Sequence, residues 1–513
     1  MEQSQDLNRW ASGPAIVAYL AGGLFLLHMA FAKNYSYFVD EFYHLACAEH
    51  LAWGYVDQPS LIAAIGWVVR RLLGDSLPAV RFLPAVAAAG KMILTGMIAR
   101  EMGAKRFAQG LAALCVMVSP VYLFMDHIFS MNTFEPLFWM GCAWLVLRII
   151  STGNQKLWLA FGALAGVGLH NKYSMLFFGF GVFVGVLLTP ERRAFRQPWI
   201  WLGGLFALVI FLPNIFWNLQ HDFPFLQLQQ NIRASGRNVA LGWLQFFGQQ
   251  VLLMHPFTLP VWLAGLWWLL RSADGRRFRV LGWTFLVILV CLLLLDGRVY
   301  YLAPAYPMLF AAGAIGFQNL FERRGIAWAK PVCATLLALA GVILAPLSLP
   351  VLPVETYLNY VKLIGIEQPR IETHRLGPLP QLYADMHGWE EMVRTTAEAY
   401  HRLPPEVRAK TAIFGNNYGQ AGAIDLLGPK YGLPKAIGNH QTYWLWGYRD
   451  YTGESILVLG DSLEDAAQVC VEVEAVGEVY HPYSMPYEHF QILHCRGLRE
   501  PIEQLWPRIR HWN

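Results

Sequence analysis

The sequence predicts an α-helical polytopic membrane protein of about eleven transmembrane helices, followed by a smaller C-terminal α/β soluble domain. Three observations lead there. Apolar runs, mostly of about 17–23 residues and so long enough to cross a bilayer, recur up to Pro350. Hydrophobic residues fill 56% of the 513 positions and charged residues only 14%, against about 25% charged in soluble domains. Beyond Pro350 the pattern turns to short apolar runs between amphipathic, charged ones.

In chain order the expected spans lie near 14–33, 79–99, 107–125, 133–150, 157–170, 173–189, 198–217, 244–270, 279–296, 299–318 and 328–349. The start, "MEQSQDLNRWASG", lacks a basic cluster and a small-x-small cleavage site. "PAIVAYLAGGLFLLHMAFA" therefore reads as a retained first span, not a removed signal peptide. The runs 157–170 and 173–189 are short for a bilayer and fit a re-entrant pair or local thinning. The 20 Trp, 22 Tyr and 31 Phe suit a chain with many membrane interfaces.

Lys and Arg set the expected orientation. With a cytoplasmic N-terminus, "REMGAKR", "RIISTGNQK", "ERRAFR", "RSADGRRFR" and "ERRGIAWAK" all fall inside, as the positive-inside bias requires. The loop 34–78, "MDHIFSMN", "HNKY", 218–243 and "DGRVYY" then face the periplasm or extracellular side of the plasma (inner) membrane. An odd span count puts the C-terminal region there too. This divides the chain into a transmembrane domain, 1–350, with a large external loop, and an external domain, 351–513. A net charge of +4 gives no sign of nucleic acid as a partner.

The C-terminal region shows strand-like "TAIFG" and "SILVLG" and helix-like "WEEMVRTTAEAYHRL" and "LEDAAQVCVEVEA". Asp461 or Ser462 is placed to cap the second helix. The seven Cys form no CxxC pair and no zinc spacing. Cys47, Cys115, Cys142, Cys291 and Cys333 lie in or beside apolar runs and read as small hydrophobes. Cys470 and Cys495 both fall in the outer region, where a disulfide is permitted; their spacing does not show that they approach.

The stretch "KNYSYFVDEFYHLACAEHLAWGYVDQPSL" carries adjacent acids, Asp40 and Glu41, among aromatic rings directly after the first span. Such a pair is either solvated at headgroup level or split in proton affinity, one member then serving as a base. "VDEFYHLACAEHLAWGYVDQPSLIAAI" resembles the first external loop of the polyprenyl-phosphate-sugar-dependent glycosyltransferases of the GT-C type, which include protein O-mannosyltransferases and bacterial aminoarabinose transferases. "AVRFLPAVAA", "FSMNTFEPLFW", "GLHNKYSMLFF", "NLQHDFPF" and "RVYYLAPAYPMLF" follow in the same order. "GNNYGQAGAIDLLGPKYGLP", "TYWLWG" and "HPYSMPYE" resemble the tail of bacterial members, so the likeness covers most of the chain.

The resemblance implies inverting transfer of one sugar from a polyprenyl monophosphate to an acceptor hydroxyl outside the cytoplasm. Asp40 maps onto the catalytic carboxylate, with Glu41 beside it. The acceptor oxygen must lose a proton as it attacks. The departing phosphate needs cations, not an acid. Arg81, Lys172 and Arg298 are the candidates, because each breaks the inside bias at one depth on the outer side; the alternative is snorkelling to headgroups. Arg70 and Arg71 read instead as part of an interfacial helix on anionic lipid. Lys91 lies inside a span with no partner visible in the sequence.

Glu135 stands where many members of the family carry Asp. It either orients the acceptor, supports Asp40, pairs with a cation or is an interfacial acid that pairs with nothing, and Asp126 and His127 are candidate supports nearby. Tyr300, Tyr301 and Tyr306 line a groove for the lipid chain or form an aromatic belt. "YWLWG" either stacks on a sugar or packs its own domain. His44 and His50 have no metal-ligand spacing. Like the family, the chain is expected to need no metal or other cofactor.

The expected partners are therefore a polyprenyl-phosphate-linked sugar, an acceptor glycan, lipid or protein, and the bilayer. Two other readings stand beside this one. A transporter or flippase would carry paired charges deep in the bilayer and an internal repeat, and no repeat is visible. A non-catalytic scaffold of the same fold would tolerate loss of Asp40.

Overall fold

The computed structural model describes residues 11–236, 241–365 and 373–512; the first ten residues of the N-terminal segment lie outside these. The described parts of Met1–Ala32, Arg81–Phe216 and Ala240–Pro353 form one compact unit, and those of Lys33–Val80, Trp217–Val239 and Val354–Asn513 form another.

The first unit is helical. Among the described residues, seven helices are long and apolar enough to cross a membrane: Gly13–Ala30, Leu77–Glu101, Met131–Thr152, Pro198–Gln220, Arg276–Leu294, Val299–Arg323 and Ala329–Leu347. The count rises to nine if each of two sharply bent pairs makes one span. The runs expected near 107–125 and 157–170 form the shorter helices Arg106–Val118 and Leu157–Asn171. The first of these stops before Ser119, which turns extended ahead of Pro120 (φ −71°, ψ 118°), as the residue before a proline prefers. The run expected at 244–270 bends by 99° between Trp243–Leu253 and Pro256–Arg271. His255 at that bend takes φ 76°, a left-handed backbone that the following proline's fixed ring does not permit to continue as helix.

Helices in this unit approach closely where side chains are absent. A Cβ at Gly313 would lie 1.8 Å from the Val261 carbonyl oxygen, and one at Gly265 2.1 Å from that of Leu309. Small residues at such crossings are how membrane helices gain packing without a hydrophobic drive. Cys115 and Cys142 are buried as free thiols, in line with a small-hydrophobe role.

The second unit is built on a mixed five-stranded sheet in the order β2-β1-β3-β5-β4. Its strands are β1 (Thr411–Gly415), β2 (Ile437–Gly438), β3 (Ser455–Leu459), β4 (Cys470–Val479) and β5 (Phe490–Leu498). β1 runs parallel to β2 and β3, while β5 is antiparallel to β3 and β4. "TAIFG" and "SILVLG" are strands as expected, and the helix Trp389–Arg402 lies where "WEEMVRTTAEAYHRL" predicted it.

"LEDAAQVCVEVEA" is corrected: its helix covers only Leu463–Val469, and the rest is edge strand β4. The alternation of Val with Glu is a strand period, and Glu472, Glu474 and Glu478 are exposed along that edge, where charge discourages further pairing. Ser462 is the cap, its Oγ accepting from the Asp465 N–H at 3.0 Å. Cys470 and Cys495 form a disulfide, with Cα atoms 5.6 Å apart.

Distant segments are knit together within this unit. The Tyr43 hydroxyl meets Thr442 Oγ1 at 2.5 Å, and Asn231 Nδ2 donates to the Trp512 carbonyl at 2.6 Å. Val56, Leu228 and Trp512 share one apolar cluster.

Candidate active site

Asp40 and Glu41 open the helix Val39–Glu49, where the positive end of the helix dipole favours carboxylates. Consecutive residues on a helix point about 100° apart, so the two acids part company. Glu41 is fully buried, and its Oε2 accepts from the Phe38 N–H at 2.8 Å, closing the first turn. Asp40 is half-buried, and its Oδ1 accepts from the Tyr418 hydroxyl at 2.8 Å.

Tyr418 begins the helix Tyr418–Leu427, capped by Asn417, whose Oδ1 accepts from Gln420 N–H at 2.9 Å. The Tyr418 ring stacks on His440 at 4.9 Å and leans on Tyr43 at 4.8 Å. The Tyr43 hydroxyl in turn donates to Asp57 Oδ1 at 2.7 Å. Burial lifts the Asp57 carboxyl to about 7; the Tyr43 hydrogen bond works against that rise and the charge of Asp40 adds to it. Tyr418 and Asp57 were both missed as site residues from the sequence. The "GNNYGQAG" likeness touched the first, and the second lies within the "GYVDQPSL" end of the external-loop likeness without having been singled out.

In the first unit, Arg81 is buried at the start of the helix Phe82–Glu101. Its Nη1 donates to the Ala32 carbonyl at 3.0 Å and lies 3.1 Å from His127 Nε2. The His127 ring sits 6.0 Å from that of His28. Lys91 has a partner: Asp126, whose two oxygens accept from Nζ at 2.8 and 2.7 Å, with the ammonium 4.1 Å above the Tyr122 ring. Asp126 is thus bound to Lys91 within the protein, while His127 stands next to Arg81.

A second cluster gathers residues from three parts of the chain. Lys172, in extended backbone just past the helix Leu157–Asn171, donates to Asn132 Oδ1 at 2.7 Å and Glu135 Oε2 at 2.9 Å. The Ser174 hydroxyl donates to the other Glu135 oxygen. The Lys172 ammonium lies 4.5 Å from the Tyr301 ring centroid and 5.7 Å from that of Tyr300. Arg298 hydrogen-bonds the Tyr300 hydroxyl. Tyr306, in contrast, is buried in the core against Trp262 and Phe285.

The remaining candidates take packing roles. Trp444 and Trp506 exchange hydrogen bonds, Nε1 to carbonyl, at 2.8 and 3.0 Å, and Trp446 stacks on His50 at 4.4 Å, so "YWLWG" packs its own unit. Arg70 pairs with Glu49 at 2.8 Å and Asp75 at 2.6 Å. Arg71 lies over Trp67, itself 41% exposed, on the amphipathic helix Leu61–Leu72.

Residues 57–217 match the family model described as dolichyl-phosphate-mannose-protein mannosyltransferase. The fold also follows the crystal structure of ArnT from Cupriavidus metallidurans bound to undecaprenyl phosphate, with a TM-score of 0.59 at 13% identity over 95% of this chain and 98% of that one. The chain thus shares the fold of ArnT, and one segment of it resembles that mannosyltransferase family. The apo ArnT structure from the same organism matches this chain with a TM-score of 0.58 and 13% identity over 93% of it and 97% of ArnT. A curated relative, the lipid A galacturonosyltransferase RgtD of Rhizobium johnstonii, is 27% identical over 268 residues, 50% of this chain and 55% of RgtD. This chain therefore spans about half the length of that relative in the match. The family-model segment contains Arg81, Glu135 and Lys172; Asp40 and Tyr418 lie outside it.

Proposed function

We propose that this chain is an inverting glycosyltransferase of the membrane. It moves one sugar from a polyprenyl monophosphate to an acceptor hydroxyl on the extracytoplasmic side. The acceptor oxygen forms a bond to the anomeric carbon as the bond from that carbon to phosphate oxygen breaks. Asp40 takes the acceptor proton, and polyprenyl phosphate leaves carrying the electron pair. Lys172, Arg298 and Arg81 offset the charge that builds on it. The observation that carries this reading is the contrast within the acidic pair. Glu41 is spent on capping its helix, whereas Asp40 is half-buried and oriented by a hydroxyl.

The family match supports a lipid-phosphate sugar donor, and the names of the relatives supply first candidates for substrates. ArnT was solved with undecaprenyl phosphate, and RgtD is named for lipid A and galacturonic acid. An undecaprenyl-phosphate-linked sugar and a lipid A-type acceptor are the first pair to test. Asp40→Asn keeps size and removes the basic oxygen, so transfer falls by about 100-fold or more while expression and donor binding survive. Mass spectrometry of envelope glycans, with and without the gene and with the variant, reads sugar and acceptor together. Transfer near the normal rate in the Asn variant sinks the assignment.

A transporter reading draws on the buried Lys91–Asp126 pair and the two bent helix pairs. The same experiment separates it. A transporter forms no new glycosidic bond, so the glycan mass profile would not depend on Asp40.

A further inference from the structure

We propose that Tyr418 is a positioning residue for Asp40, holding one carboxylate oxygen through its hydroxyl so that the carboxylate keeps a fixed direction and stays ready to accept a proton. The proposal rests on Asp40 acting as the base. It adds a residue 378 positions along the chain to that base's machinery.

The geometry points to a part built for orientation. The ring is held on two sides, by His440 at 4.9 Å with planes 16° apart and by Tyr43 at 4.8 Å. Its backbone N–H donates to His440 Nδ1 at 3.3 Å, and the His440 ring rests on that of His511 at 4.9 Å. Asn417, which caps the Tyr418 helix, is itself tied by Nδ2 to the buried Glu488 at 2.9 Å. Ring, backbone and helix start are all anchored, and the hydroxyl they present donates to Asp40 at 2.8 Å. A donor to the ionised carboxylate favours that form, so it fixes the oxygen and keeps it deprotonated at lower pH.

Other titratable groups lie on the helix of Asp40 and on the elements packed against it. Glu41, Tyr43 and His44 share its helix. Asp57 is its electrostatic neighbour, and Arg70, on the Leu61–Leu72 helix, is occupied by Glu49 and Asp75. His440 lies behind Tyr418. None of these changes in Tyr418→Phe, which keeps the ring and removes only the hydroxyl.

The test uses the full chain in nanodiscs. An infrared titration, taken as the difference between wild type and Asp40→Asn, reports the Asp40 carboxylate without any substrate. In Tyr418→Phe its midpoint rises by about one pH unit, the size expected from losing one hydrogen bond to a charged group. In cells lacking the gene, complementation with Tyr418→Phe at equal protein level restores envelope glycan product about tenfold less well than wild type. Asp40→Asn restores none. A midpoint and a product level both equal to wild type in Tyr418→Phe overturn the positioning role, even with Asp40→Asn inactive. Full complementation by Asp40→Asn overturns the base assignment instead, whatever Tyr418→Phe does.

Discussion

The Lys172 ammonium lies 2.9 Å from a Glu135 carboxylate oxygen, pairing a candidate phosphate-binding cation with a candidate acid 37 residues away. Both side chains are largely buried, at 12% and 4% exposed, so neither charge has water to replace its partner. A negative phosphate arriving beside Lys172 would compete with Glu135. Opposite effects follow from the two halves of the pair. Lys172→Ala weakens binding of undecaprenyl phosphate, whereas Glu135→Gln leaves it equal or tighter, because the ammonium keeps its charge and loses its internal counter-ion. Isothermal titration in detergent decides this, and equal loss in both variants would remove Lys172 from the phosphate site.

Lys91 and Asp126 form a pair with no exposure to speak of, 0% and 1%. Removing one partner strands a buried charge, so Asp126→Leu alone lowers stability by about 3–5 kcal/mol. The double change Lys91→Met with Asp126→Leu recovers most of that loss, since it removes both desolvation costs. Thermal unfolding of the three variants in detergent measures the recovery.

Asp57 makes stability pH-dependent. Its carboxyl titrates at about 7 in the folded chain, against an ordinary value of 3.8. Between those values the folded chain holds a proton that the unfolded chain has released, so the contribution is present at low pH and is lost as pH rises towards about 7. Asp57→Asn still accepts the Tyr43 hydrogen bond and carries no charge. Its Tm therefore gains on wild type as pH rises from about 4 to about 7 and holds that lead above. A lead that does not vary with pH would mean that burial does not govern this carboxyl.

The Cys470–Cys495 link closes a loop across 25 residues of chain. Replacing both by Ser lowers stability by about 3 kcal/mol through the freed unfolded chain. Maleimide-polymer labelling of the denatured wild-type chain shifts by two further thiols only after reduction. Labelling of these two cysteines without reduction would argue against an oxidising compartment for this region.

The membrane character and the placing of helices were legible because an apolar run is a local property, although among the described residues seven to nine helices, not the expected eleven, are long and apolar enough to span. The breaks at Ser119 and His255 were not read, although each precedes a proline. In the soluble region "TAIFG" was clear, whereas "CVEVEA" was read as helix because a helix signal directly precedes it; pairing with β5 decided for strand. At the candidate site, Asp40, Lys172 and Glu135 were named from sequence. The pairing of the last two was one of several alternatives left open there.

By itself the sequence determined a chain rich enough in long apolar segments to live in a bilayer, with acids and cations at the ends of those segments. Only the tertiary structure decided which of these charges meet. Glu41 went to its own helix start, Lys91 found Asp126, and Tyr418 came to Asp40 from 378 residues away. Helix and strand periods are set by neighbours a few positions apart, whereas a hydrogen bond between remote side chains depends on how whole elements pack, and no local spacing encodes that.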